Sequence, residues 1–384
     1  VLGPDGTLSR ALAGYEHRPQ QIAMAQSVLE ALLDQTPALV EAQTGTGKTL
    51  AYLLPAVLSA KKVVISTGTR NLQEQIHDKD VPLLAHHLGV PFRAVVLKGI
   101  SNYVCLRKLS LIGDESEPDL LRILSWAKKT PSGDRAQLAH VPENSPAWAR
   151  VTTTPEARLG PKCPFYEVCF VTRARREAVA ADLVIVNHHL FFADLALRTR
   201  FDGAQVLPPY DAVIFDEAHQ IEDVATEHFG LTVSTPRLAA LVRDAKRLVG
   251  AEAHGGDLLA HVLATGDALF ASVRARLSQD SELADTGRVS APADLFRDVE
   301  RRRRWLALDT ACEELAAFLL RSRDDVDSDE ADSVARRAQA LRDDLAVLAE
   351  QEHAGRFVYW AHTQKSAVFL HASPVEVGSL LYEH

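Results

Sequence analysis

The sequence predicts an α/β fold, built on a parallel sheet and interrupted by a cysteine-containing insertion and an all-helical insertion. Three observations carry this. Short apolar runs rich in β-branched residues recur with helical stretches between them. One run leads through a glycine-rich turn into an apolar helix. Two long segments, about 99–181 and 236–355, break that alternation.

The predicted strands are Ala38–Val40, Val63–Ile65, Ala94–Leu97, Leu183–Val186, Ala212–Phe215 and Val368–Leu370. Strands alternating with helices indicate parallel pairing, because a crossover helix returns the chain to the same end of the sheet. With 384 residues, 47% of them apolar, the chain can fill two or three cores.

The first interruption contains Cys105, Cys163 and Cys169, scattered prolines and the basic run Arg173, Arg175, Arg176. In the second, Val334, Ala338, Leu341, Leu345 and Leu348 step by four and three, which places them on one helix face. Leu308, Cys312, Leu315 and Leu319 form a similar stripe, so Cys312 reads as core. Gln279–Ala293 reads as a polar loop and Asp324–Asp332 as an acidic turn between helices. Arg301–Arg304 reads as a solvated face.

No run approaches the roughly 18 to 20 apolar residues of a membrane span, and Val1–Gly14 lacks a basic region followed by an apolar segment. The expectation is a soluble cytoplasmic protein, nucleoid-associated if bacterial, with no membrane partner. A net charge of -9 gives no bulk-charge support for nucleic-acid binding and leaves only a local basic groove to do it. Four cysteines without a secretory signal argue against a disulfide framework and leave metal ligation or burial.

Ala42-Gln43-Thr44-Gly45-Thr46-Gly47-Lys48-Thr49 stands between a predicted strand and the apolar helix Leu50–Leu58. In that context the glycines let backbone N–H groups turn onto phosphates and the helix N-terminus adds positive charge. Lys48 reaches the β/γ-phosphates, and the Thr49 hydroxyl takes a place on Mg²⁺. Asp216-Glu217-Ala218-His219 follows the run Ala212–Phe215. An acid at the C-terminal end of a parallel strand emerges beside such a loop, where Asp216 can hold Mg²⁺ through water and Glu217 can polarise an attacking water. The implied chemistry is metal-assisted ATP hydrolysis. His219 is a candidate link to a nucleic-acid side, or else a surface or capping histidine.

Beyond these residues the chain resembles the first motor domain of superfamily 2 DNA helicases of the DinG/YoaA (XPD-like) type. The resemblance covers most of residues 14–225. Ala42, where the general pattern has glycine, matches common usage in that superfamily. Tyr15-Glu16-His17-Arg18-Pro19-Gln20-Gln21 resembles the Q motif, which implies an adenine-reading Gln21 with Arg18 beside it, and a glutamine amide offers the required donor and acceptor. Ser66–Gln75 resembles motif Ia, which grips a single-strand backbone. Lys98-Gly99-Ile100-Ser101-Asn102-Tyr103-Val104-Cys105 resembles the opening of the family's iron-sulfur domain, with Ile100 where arginine is common, and Asp182–His189 the way back into the motor.

The resemblance implies a RecA-like motor in segments 1–99, 182–235 and 356–384, an iron-sulfur-type domain at 100–181 that splits the duplex, and an arch at 236–355. Phe357–Trp360 and Ala367–Pro374 resemble the return to the motor. The family's [4Fe-4S] cluster takes four thiolates. Cys105, Cys163 and Cys169 fall on three of those places and Arg158 on the fourth, where a permanently charged guanidinium cannot ligate. Three ligands leave open a [3Fe-4S] cluster, a four-iron cluster with an outside ligand, zinc, or no metal. Arg173, Arg175 and Arg176 are candidates for phosphate contacts or a solvated helix face.

The implied function is ATP-dependent 5'→3' translocation on single-stranded or forked DNA, in repair or replication conflicts. Motif III, a second RecA-like domain and an arginine finger are expected from a longer chain or another one. Two alternatives remain at this point: a nucleotide-gated single-stranded DNA binding module without motor activity, and a P-loop ATPase acting on protein or RNA.

Overall fold

The computed structural model describes residues 1–11, 15–113, 116–142, 145–155, 157–200, 205–249, 253–278, 288–290, 295–322, 328–351 and 355–378. The chain divides into two compact units. Residues 1–152 and 167–224 form the first, and 153–166 and 225–384 the second.

The first unit is the expected α/β body. Its strands are β1 (Val63–Thr67), β2 (Ala94–Val96), β3 (Leu183–Asn187) and β4 (Ala212–Phe215), all parallel in the order β2-β3-β1-β4. The central strand β1 is buried along its whole length, which fits its near-continuous apolar sequence. Helix Lys48–Leu58 buries Ala51 through Val57 and packs with Val63, Ile65, Leu183 and Ile185 in one core.

Ala38–Val40 departs from expectation. Residues 36–43 form no strand, and Leu39 is 94% exposed. Three apolar residues give too little propensity to hold an extended segment without a neighbour's hydrogen-bond ladder.

The cysteine-containing segment has its own small core within this unit. Ile100, Tyr103, Leu120, Ile123, Trp148, Val151 and Phe170 meet there. Trp148 Nε1 donates to Ser101 O at 2.8 Å and Cys105 N to Val151 O at 2.7 Å, so helix Pro146–Val151 is tied to the segment's start. Gly133 has φ +66° with Phe170 packed against it, and a Cβ there would come within 2.4 Å of the ring.

The second unit is not all-helical. Four helices, Thr235–Val249, Ala253–Leu277, Val299–Arg321 and Ser328–Glu350, bury one face against a sheet of β5 (Leu231–Ser234), β6 (Arg288–Ser290), β7 (Phe357–Gln364) and β8 (Ala367–Pro374). That sheet is antiparallel, in the order β5-β8-β7-β6. Val368–Leu370 therefore lies in an antiparallel hairpin and not in the parallel sheet. The two-residue turn at Lys365-Ser366, with Lys365 at φ +55°, pairs β8 with β7 locally.

Both helical stripes read from the sequence are buried, Cys312 among them. The expected loop Gln279–Ala293 contains strand β6; its residues 279–287 and 291–293 lie outside the described residues. Of the expected acidic turn Asp324–Asp332, residues 324–327 also lie outside them, while Asp329–Asp332 already belong to a helix opening with acidic side chains, which its dipole favours. Arg301–Arg304 is more engaged than a solvated face. Arg301 donates to Leu295 O at 2.6 Å, Arg304 to Glu300 at 3.2 Å, and Arg302 lies over Trp305.

Candidate nucleotide site

The phosphate loop turns on two left-handed glycines, Gly45 at φ +85° and Gly47 at φ +81°, a region that costs other residues steric strain. Thr46 closes the turn through its hydroxyl to Gln43 O at 2.7 Å. Gly47 is the cap of helix Lys48–Leu58, so the free N–H groups of the helix start coincide with the loop.

Two residues of the Q-motif-like segment brace this loop from behind. Arg18 donates to Gly45 O and pairs with Glu16 at 2.8 Å. Buried Gln21 donates through Nε2 to Gly47 O at 3.0 Å. With two carbonyls thus held, and Thr46 N donating to Gln43 O at 3.3 Å, the other N–H groups of the loop are left for an anion.

The acidic half is fixed by the sheet. Asp216 N donates to Ser66 O at 2.8 Å, which continues the β1–β4 ladder one step past Phe215. Asp216 Oδ1 accepts from Glu217 N at 3.1 Å and Oδ2 from the Tyr52 hydroxyl at 3.2 Å. Burial and the adjacent Glu217 charge push the Asp216 carboxyl above its ordinary range, while Tyr52, Lys48 and the Glu217 amide hold it back. Glu217 itself sits at φ +56°, an uncommon region for a non-glycine and a mark of local strain. Its carboxylate lies 3.8 Å from Lys48 Nζ and 3.4 Å from exposed His219 Nδ1. Lys48, Asp216, Glu217 and His219 thus meet at the loop.

The motif Ia-like segment leaves the same end of the sheet. Thr69 caps helix Arg70–Gln75 by accepting from Leu72 N at 3.3 Å. Gly68 faces Gln220, whose Oε1 stands 2.4 Å from where a Cβ would be, so the turn after the acidic motif touches the start of motif Ia. Fully buried His188 joins Ser66 Oγ through Nδ1 at 2.7 Å. Burial lowers its imidazole pKa, and the backbone of Asp216 and Glu217 offsets part of that. Tyr52, Gln220 and the Ser66–His188 pair were missed from sequence. A tyrosine in an apolar helix and a histidine after a strand carry no local signal of a partner so far away in the chain.

The cysteines are divided. Cys105 and Cys169 belong to the first unit, each just before a helix start, while Arg158 and Cys163 belong to the second. Burial pushes the Cys105 thiol up. Among the described residues no group of three or more His, Cys, Asp or Glu is placed to hold a metal. Arg158, at the position where the resemblance implied a fourth thiolate, holds its guanidinium over Tyr166. The residues present do not fit a four-thiolate cluster. Of the basic run, Arg173 lies over Phe170 and Arg176 pairs with Glu167 at 2.8 Å.

A DEAD/DEAH box helicase family model matches residues 22–121. The chain is 42% identical over 250 residues to the ATP-dependent DNA helicase YoaA of Escherichia coli (strain K12), covering 63% of this chain and 39% of that protein. It is 33% identical over 392 residues to YoaA of Haemophilus influenzae, covering 98% of this chain and 59% of that protein.

The chain carries a DEAD/DEAH box helicase domain and is similar to helicases of the DinG/YoaA type. The ATP-dependent helicase DinG of Mycobacterium tuberculosis (strain H37Rv) is 35% identical over 269 residues, covering 62% of this chain and 39% of that protein. The chain spans between 39% and 59% of the length of the two YoaA relatives. A solved truncated XPD covers 94% of the chain at a TM-score of 0.41 and 16% identity, too low a similarity to bear on the fold.

Proposed function

We propose that this chain is the ATP-binding motor portion of a DNA helicase that moves 5'→3' along single-stranded DNA. The observation that carries the reading is the meeting of Lys48, Asp216 and Glu217 at a loop whose carbonyls are held by Arg18 and Gln21. Its relatives' names supply the DNA substrate.

In this reading the loop amides around Thr44–Thr49 and Lys48 hold the phosphates, and Gln21 and Arg18, which brace the loop, are assigned to the adenine. The Thr49 hydroxyl and Asp216 carboxylate are the hard oxygen donors Mg²⁺ takes, and that ion's usual site of phosphates, water and one or two protein oxygens needs no larger cluster. Bound Mg²⁺ supplies charge neutralisation on the β- and γ-phosphates. Glu217 orients the water and accepts its proton as the water oxygen bonds to the γ-phosphorus and the β–γ bridging P–O bond breaks. Lys48, 3.8 Å from Glu217, offsets charge on the departing diphosphate. His219 reports across to the strand-binding side, and Ser66–Gln75 grips the DNA backbone.

The test is Lys48→Ala in the longest active form. ATP turnover should vanish while single-stranded DNA binding stays within about twofold, since Lys48 contacts phosphates and not DNA. Undiminished turnover would sink the assignment. Salt-dependent DNA binding without any DNA-stimulated ATPase in the unmutated protein would instead favour a binding module without motor activity.

A further inference from the structure

Tyr52 is the one polar side chain in the buried run Ala51–Val57 of the helix that follows the phosphate loop. A phenylalanine would fill the same space without a hydroxyl to satisfy, and a buried hydroxyl left unpaired costs about 1–3 kcal/mol. The hydroxyl is used. It donates to Asp216 Oδ2 at 3.2 Å across 164 positions of sequence. Its place on the helix is equally specific: Tyr52 stands four residues after Lys48 and three after Thr49, so all three share one face.

We propose that Tyr52 is a positioning residue that fixes the Asp216 carboxylate relative to Thr49, so that the two protein oxygens for a divalent cation are set as one unit before nucleotide arrives. Asp216 has two oxygens and two constraints. Glu217 N fixes Oδ1 at 3.1 Å, and this bond stays within one strand end. Among the described hydrogen bonds of this carboxylate, the Tyr52 bond is the one that ties it to the opposite half of the site. The backbone does not do so, because residues 36–43 ahead of the loop pair with no strand. The helix is located by its apolar packing, which is not directional, and Tyr52 adds the directional contact. This inference rests on the nucleotide reading above.

The experiment compares the chain with Tyr52→Phe, measuring affinity for a fluorescent ATP analogue with Mg²⁺ and with EDTA in its place. The variant should weaken binding about tenfold in Mg²⁺, the loss of one hydrogen bond to a charged group. In EDTA its affinity should match the unmutated chain. The Mg²⁺ concentration for half-maximal tightening should rise with it. In an Asp216→Asn background, Tyr52→Phe should have no further effect on the Mg²⁺ response, which keeps the test decisive even if the single variant is less stable. Equal losses in Mg²⁺ and EDTA, or an undiminished Mg²⁺ response, would overturn the positioning role. An unmutated chain that binds no analogue at all would overturn the nucleotide reading, and the inference with it.

Discussion

Lys98 is a nearly buried charge outside the nucleotide site, and removing it makes a worked test of how the cysteine-containing segment is joined to the α/β body. Its side chain is only 6% exposed, and Nζ lies 2.7 Å from both Glu74 and Asp134. Glu74 belongs to the helix Arg70–Gln75, and Asp134 to the segment's own bridge with Tyr103. At that distance and an effective dielectric of about 20, each attraction is worth about 6 kcal/mol before solvation is counted. Desolvation of the ammonium and of Asp134, 19% exposed, takes back most of that. Glu74 is 41% exposed, and water screens its share to about 1 kcal/mol or less. Lys98→Met keeps the stem and deletes the charge, leaving Asp134 without its cation, and should cost about 2–4 kcal/mol. Urea unfolding followed by the fluorescence of Trp126 and Trp148, which lie in this segment, reads that cost as a lower midpoint at unchanged slope. Burial pulls the Lys98 pKa down, but its hydrogen bonds with Asp134 and Glu74 outweigh that and leave it above the ordinary lysine value. A group raised on folding contributes fully below its unfolded pKa, about 10.4, and loses that contribution as pH climbs through the folded value. The difference in stability between the unmutated chain and the Lys98→Met variant should therefore be flat from neutral pH to about 10 and shrink above. A cost under about 1 kcal/mol, or a difference that grows at high pH, would refute this account.

Three further outcomes follow from single positions. Gly47→Ala puts a Cβ at φ +81° and within 2.2 Å of Gln21 Nε2, so it should abolish binding of a fluorescent ATP analogue and lower stability by about 1–2 kcal/mol in thermal melts. Cys312 is buried and its thiol is pushed up to about 12, so in the reduced, metal-free chain a thiol reagent at neutral pH should modify it only after denaturation, as peptide mapping would show. Arg158→Cys supplies the fourth thiol of the family's set. Iron and acid-labile sulfide in anaerobically purified protein should rise towards about four each per chain, and no gain would mean the segment has diverged at more than that position.

Much of the fold was legible because its signals are local. The β-branched runs at Val63 and Leu183 are buried strands, the run at Ala212 is a half-buried one, and the stripes through Leu308 and Val334 are buried helix faces, since burial and periodicity are written within each element. What was not legible depends on pairing between distant segments. Ala38–Val40 has the composition of a strand but stands without a ladder, and Val368–Leu370 has the same composition yet pairs locally with β7. The loop and acidic motifs were readable for the same reason as the strands: Gly45, Gly47, Lys48 and the Asp216-Glu217 pair are each diagnostic in place. Arg158 was readable as a departure, whereas the division of the cysteines between two compact units was not.

These two kinds of residue have different jobs in the site. The motif residues present groups to a ligand, but none of them determines where the loop helix stands against β4. That placement comes from residues without a motif. Gln21 and Arg18 hold the loop's carbonyls, Tyr52 ties the helix to Asp216, and Ser66 receives both the Asp216 amide and the His188 ring. Ser66 also begins the segment proposed to grip DNA, and Gln220 against Gly68 touches it from the acidic side. A shift of β4 or of the Glu217 turn on phosphate release would therefore be felt at Ser66–Gly68 through two short contacts. In the proposed reading, coupling between ATP and DNA needs no long pathway, because both proposed sites share the C-terminal ends of neighbouring strands β1 and β4.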